Sequence, residues 1–418
     1  MNKKKPKIVF IYPLNRDFPK LFVPFVRPLG LLTIISLTPN IFRKELIISY
    51  KKQWQVKDCD IIFLSFTTPQ KNVAFKLAKK YLNKGVKIIM GGPHATLNPK
   101  ECEKYSTAVF TGYVEDVWKN FLSDLKKDKI KKRYDGKQPK KIPILNCNIS
   151  KKWLYNSIET TRGCKYNCYF CYNSIYKGII HKDVENVVKE IKNYKGHFKK
   201  YVFFVDDNIY SSKEYVKKLF KALIPLKIKW YAQCSIDIAD DDELLNLAYK
   251  SGCRVLEVGI ESLSFNKVHK KDIIDRYLTL LGKLRKKKII TMGSFIFGLD
   301  NEDKNIFRKT YEFCMKAPLD LAAFNYMVPF PGLKIYKDKC KNNKIIENDL
   351  RKYNGNNLII KPFQSEVKYY KRKMKRLNRK IYSINNIFKK SIEQIKLGRL
   401  KYLPIYIVLC IMLRNKIK

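Results

Sequence analysis

Short apolar runs alternate with amphipathic stretches through the first 125 residues. Residues 7–12, 60–65, 87–90 and 108–111 are rich in Val, Ile and Phe and end in turn formers, as strands buried on both faces of a parallel sheet do. Between them, residues 73–84 place Phe75, Leu77, Ala78, Tyr81 and Leu82 near helical spacing. This alternation predicts an α/β unit over residues 1–125, a doubly wound, Rossmann-like domain. Residues 126–141 are charged, contain Pro and Gly and carry little that is apolar, which predicts a linker running to residue 154.

A second alternation begins at residue 157, with strands expected at 157–161, 201–205, 230–235, 255–259, 292–297 and 321–327. Helical patterns separate them, for example 213–223 and 241–250, the latter opened by acidic residues that suit a helix N-terminus. Six βα units are too few for a closed eightfold barrel and suit a partial, TIM-like (β/α)6 barrel over residues 155–345, with reactive groups at the carboxyl ends of its strands. Residues 346–418 read as a basic, helical C-terminal extension. Met374, Leu377, Ile381, Ile384, Phe388, Ile392 and Ile395 recur at three and four, the stripe of one amphipathic helix that Gly398 stops. A further apolar run, 403–413, is too short to span a bilayer as a helix. Two roles fit this region: packing on the barrel so as to close its active site, or lying at the interface of an anionic membrane.

A formal charge of +49 on 418 residues ordinarily suggests a polyanionic partner. Here lysines are spread almost evenly along a chain also rich in Ile, Asn, Tyr and Phe, as AT-rich codon usage produces. Arginine tracts and Gly-flanked aromatic motifs are absent, so nucleic acid is not the expected partner. The apolar run at 8–12 is too short for a signal peptide, and a cytoplasmic location is expected, with membrane association left open by the C-terminal region. Eleven cysteines, an odd number, suit free thiols and metal ligands in a reducing compartment.

Three of those cysteines fall in Arg162-Gly163-Cys164-Lys165-Tyr166-Asn167-Cys168-Tyr169-Phe170-Cys171, a C-x3-C-x2-C run. Three thiolates can hold three corners of a cubane iron–sulfur cluster and leave the last iron an open position. Scattered core thiols, or most of a structural zinc site, are the plainer readings, although the paired C-x2-C or closing His pair of a zinc finger is missing. Each later strand end also carries something polar or turn-forming: Asp206-Asp207-Asn208, then Glu261-Ser262, then Gly298-Leu299-Asp300, then Pro329-Phe330-Pro331-Gly332. Taken singly, Asp-Asp-Asn after a strand is an ordinary turn or helix cap.

In this order, after the cysteine run with its aromatic Phe170, the segments closely resemble the radical S-adenosylmethionine (SAM) family, and within it the class that carries an N-terminal cobalamin-binding domain. The likeness extends to Asp241-Asp242-Glu243-Leu244-Leu245 and the Ser251-Gly252-Cys253 turn, over about residues 155–340. It implies that Cys164, Cys168 and Cys171 hold a 4Fe-4S cluster, whose open iron chelates the amine and carboxylate of SAM. One electron then cleaves a carbon–sulfur bond to give a 5'-deoxyadenosyl radical. Asp206, Asp207 and Asn208 fall where the amino end of SAM is met, Glu261 and Ser262 where its ribose is gripped, and Phe170 among the cofactor contacts. In the first domain, Ser65-Phe66-Thr67-Thr68 and Gly91-Gly92-Pro93-His94-Ala95-Thr96 resemble the loops that embrace the nucleotide tail of cobalamin. Ser65, Thr67, Gly91, Gly92 and His94 are then its expected contacts, the glycines letting the backbone come close; an ordinary strand-to-helix turn is the other reading.

Two departures qualify the likeness. The D-x-H-x-x-G motif is absent, and a Gly-Glu-Gly-Glu turn survives only as Gly112-Tyr113-Val114-Glu115, so the implied cobalamin has no protein histidine on cobalt. The implied activity is methylation of an unactivated carbon in a small metabolite or lipid, fed by a reductant such as flavodoxin or ferredoxin. Cobalamin-independent rearrangement, cyclisation or methylthiolation is the nearest alternative, although Cys59, Cys102 and Cys147 do not convincingly supply a second cluster. A non-catalytic metal protein that binds nucleic acid is the alternative from another class. His181, His197 and His269 are expected at the surface, and Cys59, Cys102, Cys147, Cys234, Cys253, Cys314, Cys340 and Cys410 as packing residues.

Overall fold

The computed structural model describes residues 5–14, 27–49, 56–145, 156–176, 178–194, 199–264, 270–300 and 302–417. Cys147, His197 and His269 lie outside them. The first sheet is built from β1 (Lys7–Pro13), β2 (Arg43–Ser49), β3 (Ile61–Ser65), β4 (Lys87–Gly91), β5 (Ala108–Gly112) and β6 (Arg133–Gly136), all parallel, in the order 2-1-3-4-5-6. Along β1, Ile8 and Phe10 join one core with Phe63, Phe110 and Trp118, while Val9 and Ile11 join the other with Leu64, Leu77 and Met90. An apolar run without polar alternation is what two covered faces demand.

The expected linker is corrected in part: Arg133–Gly136 is an edge strand paired with β5. Tyr134 is its buried side chain and stacks on Phe110 at 5.0 Å and 12°. β2, which opens with Arg43, Lys44 and Glu45, forms the other edge. Charged edges discourage further strand addition and leave little apolar signal.

In the second sheet β7 (Asn156–Ile158) is followed by β10 (Tyr201–Phe204), β11 (Lys229–Cys234), β12 (Cys253–Glu261), β13 (Ile290–Phe297) and β14 (Leu321–Tyr326), parallel and in chain order. The intervening β8 (Thr161–Arg162) and β9 (Ile180–His181) form a small antiparallel pair instead. Outward side chains such as Phe204, Trp230, Val258 and Phe295 pack under the helices in one large core. His181, expected at the surface, is half-buried and stacks on Tyr215 at 4.0 Å.

The C-terminal stripe is two helices, Val367–Ile381 and Ile384–Lys396, broken where Ser383 Oγ accepts from the Asn386 amide (3.3 Å). Gly398 (φ +69°) ends the second, and Leu403–Arg414 forms a third. Together they close the free edge of the barrel: the Tyr382 hydroxyl accepts from Ala322 N (2.8 Å) and donates to Ala322 O (2.6 Å). At the amino ends of β13 and β14, Asp320 is buried beneath Arg399 (2.9 Å), Gln394 (2.6 Å) and the Thr291 amide (2.8 Å), while Arg399 also donates to Ile289 O (2.8 Å). This hairpin therefore packs on the barrel but at the end opposite the cysteines, and does not close the mouth. Among the described residues no helix is long and apolar enough to cross a membrane.

Removing Arg399 leaves Asp320 buried without its countercharge. Arg399→Ala is expected to lower stability by about 3–5 kcal/mol, measured as a shift in the denaturant midpoint of the full chain.

Candidate functional site

The cysteine loop is anchored at its base by the β8–β9 pair, where Thr161 faces His181 and Arg162 faces Ile180. Gly163 (φ +86°) follows at once, so close that an added Cβ would meet Gly178 O at 2.3 Å. Beyond it Cys164, Cys168 and Cys171 line a cavity of about 460 Å³ at the carboxyl ends of the barrel strands, with Phe170, Asp207, Asn208 and Glu261. Burial, then Glu261 and the two other cysteines, pushes the Cys168 thiol up to about 11; burial also raises Cys171. These thiols resist ionising together unless a cationic centre binds them. Among the described residues no group of three or more His, Cys, Asp or Glu side chains is gathered as ligands of one metal ion. Three thiols that line one cavity and need a cationic centre in order to ionise together fit a cluster of iron and sulfide.

The segment 206–208 splits. Asp206 is buried and does not line the cavity; it accepts from the Thr160 amide (2.6 Å), the Thr161 amide (3.0 Å) and the Thr160 hydroxyl. That corrects its expected role, because its side chain is spent clasping the turn that leads to the cysteines. Burial, outweighing these bonds, raises it to about 7. Asp207 does line the cavity, raised by burial against hydrogen bonds from Asn173 and the Gly163 amide. Asn208 accepts from the Tyr210 and Ser235 amides (both 3.1 Å) and points its amide nitrogen at Cys164 Sγ, 3.8 Å away.

Glu261 reaches the cavity through an irregular register against β13 between Gly259 and Glu261, with φ +64° at Glu261 itself. A bulge and a left-handed residue re-aim this side chain. Gly259 makes room for it, since a Cβ there would lie 2.7 Å from Glu261 Oε1. Burial, then Glu257, raises Glu261 to about 7. Ser262 is a correction: its hydroxyl donates to Glu302 (3.3 Å) and is not among the cavity-lining side chains.

A second cavity, about 390 Å³, opens at the carboxyl ends of β1, β3, β4 and β5. The strand order reverses between β1 and β3, which is where doubly wound sheets receive ligands. Ser65, Thr67, Gly91 and Gly92 line it. His94 does not: it is fully buried against Phe66, with Nδ1 bonded to the Thr68 hydroxyl (3.1 Å) and Nε2 to Glu101 (3.2 Å). Both ring nitrogens are thus engaged, and His94 first among its partners holds Glu101 down at about 2. A Cβ on Gly91 would face Phe63 (3.0 Å), and one on Gly92 (φ +90°) would meet Ser65 Oγ (2.8 Å) and Phe66 N (2.9 Å). Packing inside the domain demands these glycines. Gly30 also lines the cavity, and a Cβ there meets nothing within 4 Å.

The two cavities share Asn173 and Asp207 as walls. Arg162, directly before the cysteine loop, pairs with Glu159 (2.9 Å) and with Glu115 (2.5 Å) at the end of the 112–115 turn, and lies over the Tyr113 ring at 5.2 Å. Burial works against its charge, but the two carboxylates prevail and hold the guanidinium above its ordinary value. Gly332 (φ +99°) adds a backbone contact, with space for a Cβ closed by Leu97 O at 2.5 Å.

Arg162, Asn173, Gln233 and Glu257 were not singled out by motif. Gln233 and Glu257 sit at inward positions of β11 and β12 and line the first cavity, Glu257 accepting from the Tyr231 hydroxyl (2.5 Å). A charged residue at an inward register of an otherwise apolar strand was the available signal. Cys234, too, is buried at this cavity's wall, whereas Cys340 is exposed and packs little.

Residues 158–314 match the family model of the Radical SAM superfamily. A bacteriochlorophyllide d C-12(1)-methyltransferase of Chlorobaculum tepidum is 26% identical over 352 residues, covering 79% of this chain and 76% of the relative. In fold the chain is similar to TsrM from Kitasatospora setae, a radical S-adenosylmethionine methyltransferase, at 13% identity. Its structure with tryptophan substrate and a SAM analogue gives a TM-score of 0.64 over 81% of this chain and 77% of that one. Its structure with cobalamin and a [4Fe-4S] cluster gives 0.63 over 81% and 78%.

Asp206 supplies a test of the clasp. A carboxyl raised on folding weakens the fold progressively as pH climbs from its unfolded value, near 3.8, through about 7. Asp206→Asn keeps an acceptor for the two amides, so its melting temperature relative to wild type should rise between pH 5 and pH 8.

Proposed function

We propose, from the match of residues 158–314 to the radical SAM superfamily, that the chain is a cobalamin-dependent methyltransferase acting on an unactivated carbon of a small molecule or lipid. The observation that carries this reading is the meeting of two ligand-sized cavities at Asn173 and Asp207. In it, residues 1–125 carry the cobalamin, residues 155–345 form the catalytic barrel, and 346–418 complete that barrel. Cys164, Cys168 and Cys171 would hold the 4Fe-4S cluster, and SAM would lie beside them against Phe170, Asp207, Asn208 and Glu261. Cobalamin would lie against Ser65, Thr67, Gly91, Gly92 and Gly30. When bound, the cluster and SAM supply a carbon-centred oxidant, and the cobalamin supplies a methyl group.

The protein's own part is placement. Asp206 fixes the turn into the cysteine loop, Asn208 directs a donor at Cys164, and Arg162 holds the loop against the first sheet. Glu261, raised by burial, can be neutral or anionic near neutral pH and so can donate to or accept from a polar ligand hydroxyl. With His94 engaged on both nitrogens, no histidine is offered to cobalt from the Gly-Gly loop. Substrate would enter the barrel beside Gln233 and Glu257, and a small reductant of the flavodoxin or ferredoxin kind would deliver the electron.

Anaerobically reconstituted protein should bind one oxygen-sensitive four-iron cluster, and Cys164→Ala, Cys168→Ala or Cys171→Ala should each remove the cluster and SAM cleavage. Full iron content in the triple variant would overturn the ligand assignment. For cobalamin, Gly92→Val is uninformative because its clash lies within the domain. Gly30→Leu adds bulk in open space on a helix, so it should abolish stoichiometric binding of hydroxocobalamin while leaving the melting temperature at or above that of wild type. A wild-type protein that binds no hydroxocobalamin would rule the methyltransferase reading out.

A further inference from the structure

Large apolar side chains that remain exposed are unevenly placed. Ile384, Phe388, Ile392 and Ile395 line one side of the helix Ile384–Lys396; Leu400, Ile405, Val408 and Ile411 continue the set onto the turn and the helix Leu403–Arg414. Ile384 is 78% exposed and Phe388 66%. These are not residues awaiting a place in the core. The opposite sides of the same two helices are already docked, through Lys390 to Leu319 O (2.5 Å), Gln394 and Arg399 to Asp320, and Tyr406 to Asp320 O (3.3 Å). The hairpin therefore has one satisfied face and one apolar face turned away from the barrel. A spacing of i, i+4, i+8, i+11 makes a stripe along the helix, and stripes of this size on a monomer mark a contact surface.

Charge indicates the kind of contact. Exposed Lys389, Lys396 and Lys401 stand beside the apolar residues. Between residues 368 and 401 there are 13 basic residues and a single acid, Glu393, which is itself paired with Arg285 (3.2 Å). We propose that the hairpin 384–414 is an in-plane anchor on an anionic lipid bilayer, its isoleucines and Phe388 entering the acyl boundary and its lysines meeting the headgroups. A second copy of the chain would fit less well, because a twofold contact would set these lysines against their own kind. The anchor lies at the amino ends of β13 and β14, so both cavities, at the carboxyl ends of their strands, stay clear of the surface.

The test is co-sedimentation of the full chain with sucrose-loaded vesicles of phosphatidylcholine alone or with phosphatidylglycerol. Wild type should bind the anionic vesicles, bind phosphatidylcholine vesicles weakly, and release in high salt. The triple variant Ile384→Ser, Phe388→Ser, Ile405→Ser should lose binding about 100-fold at an unchanged melting temperature. Lys389→Glu, Lys396→Glu, Lys401→Glu should lose about as much on anionic vesicles, with no further loss in high salt. Equal partitioning of wild type and both variants would overturn the proposal. So would a wild-type dimer by light scattering that either variant dissolves, with no vesicle binding, since that outcome assigns the face to a second copy.

Discussion

Everything at the centre of this molecule hangs on one buried cation. Arg162 is the last ordered strand residue before the cysteine loop, and its guanidinium bridges Glu159 in its own unit to Glu115 in the other. A buried guanidinium and its two partly buried carboxylates are costly to bring out of water, and the arrangement holds only while all three stay within hydrogen-bonding reach. The loop that carries the thiols is thereby referenced to the sheet that carries the second cavity. Asn173, just beyond the last cysteine, inherits this placement and becomes a wall of both spaces.

Around that link the barrel is kept open in a controlled way. A six-stranded partial sheet has a bare edge, and Tyr382 satisfies both backbone groups of Ala322 there, while Gly355 O accepts from Tyr326 N (2.7 Å). Farther inside, Lys416 donates to Asn325 on β14 (2.6 Å), and burial holds its ammonium below the ordinary value. The C-terminal region thus supplies what further strands supply in a closed barrel.

How much of this was legible depends on how many side chains an element buries. Both central sheets could be read because β1, β3, β4 and β10 are continuous apolar runs and β11 to β13 bury apolar residues at alternate positions. The edge strands β2 and β6 escaped because β6 buries only Tyr134 deeply and β2 opens with three charges. Motif position located the strand ends but not side-chain direction. Asp206 and Ser262 adjoin residues that line the cavity yet turn elsewhere, as consecutive residues leaving a strand do. Glu261 reaches the cavity through a bulge that no local pattern encodes, and His94 turned inward because Thr68 and Glu101, distant from each other in sequence, both reach its ring.

The closeness of Gly332 to Leu97 bears on traffic. With backbone pressed on backbone there, and Asn98 donating to Pro331 O (2.9 Å), the two units meet at a second point well removed in sequence from Arg162. Two such points, unlike one, leave only the line through them as an axis about which the units can turn without breaking a contact. With both contacts kept, the units can widen the space walled by Asn173 and Asp207 only by that one turning motion.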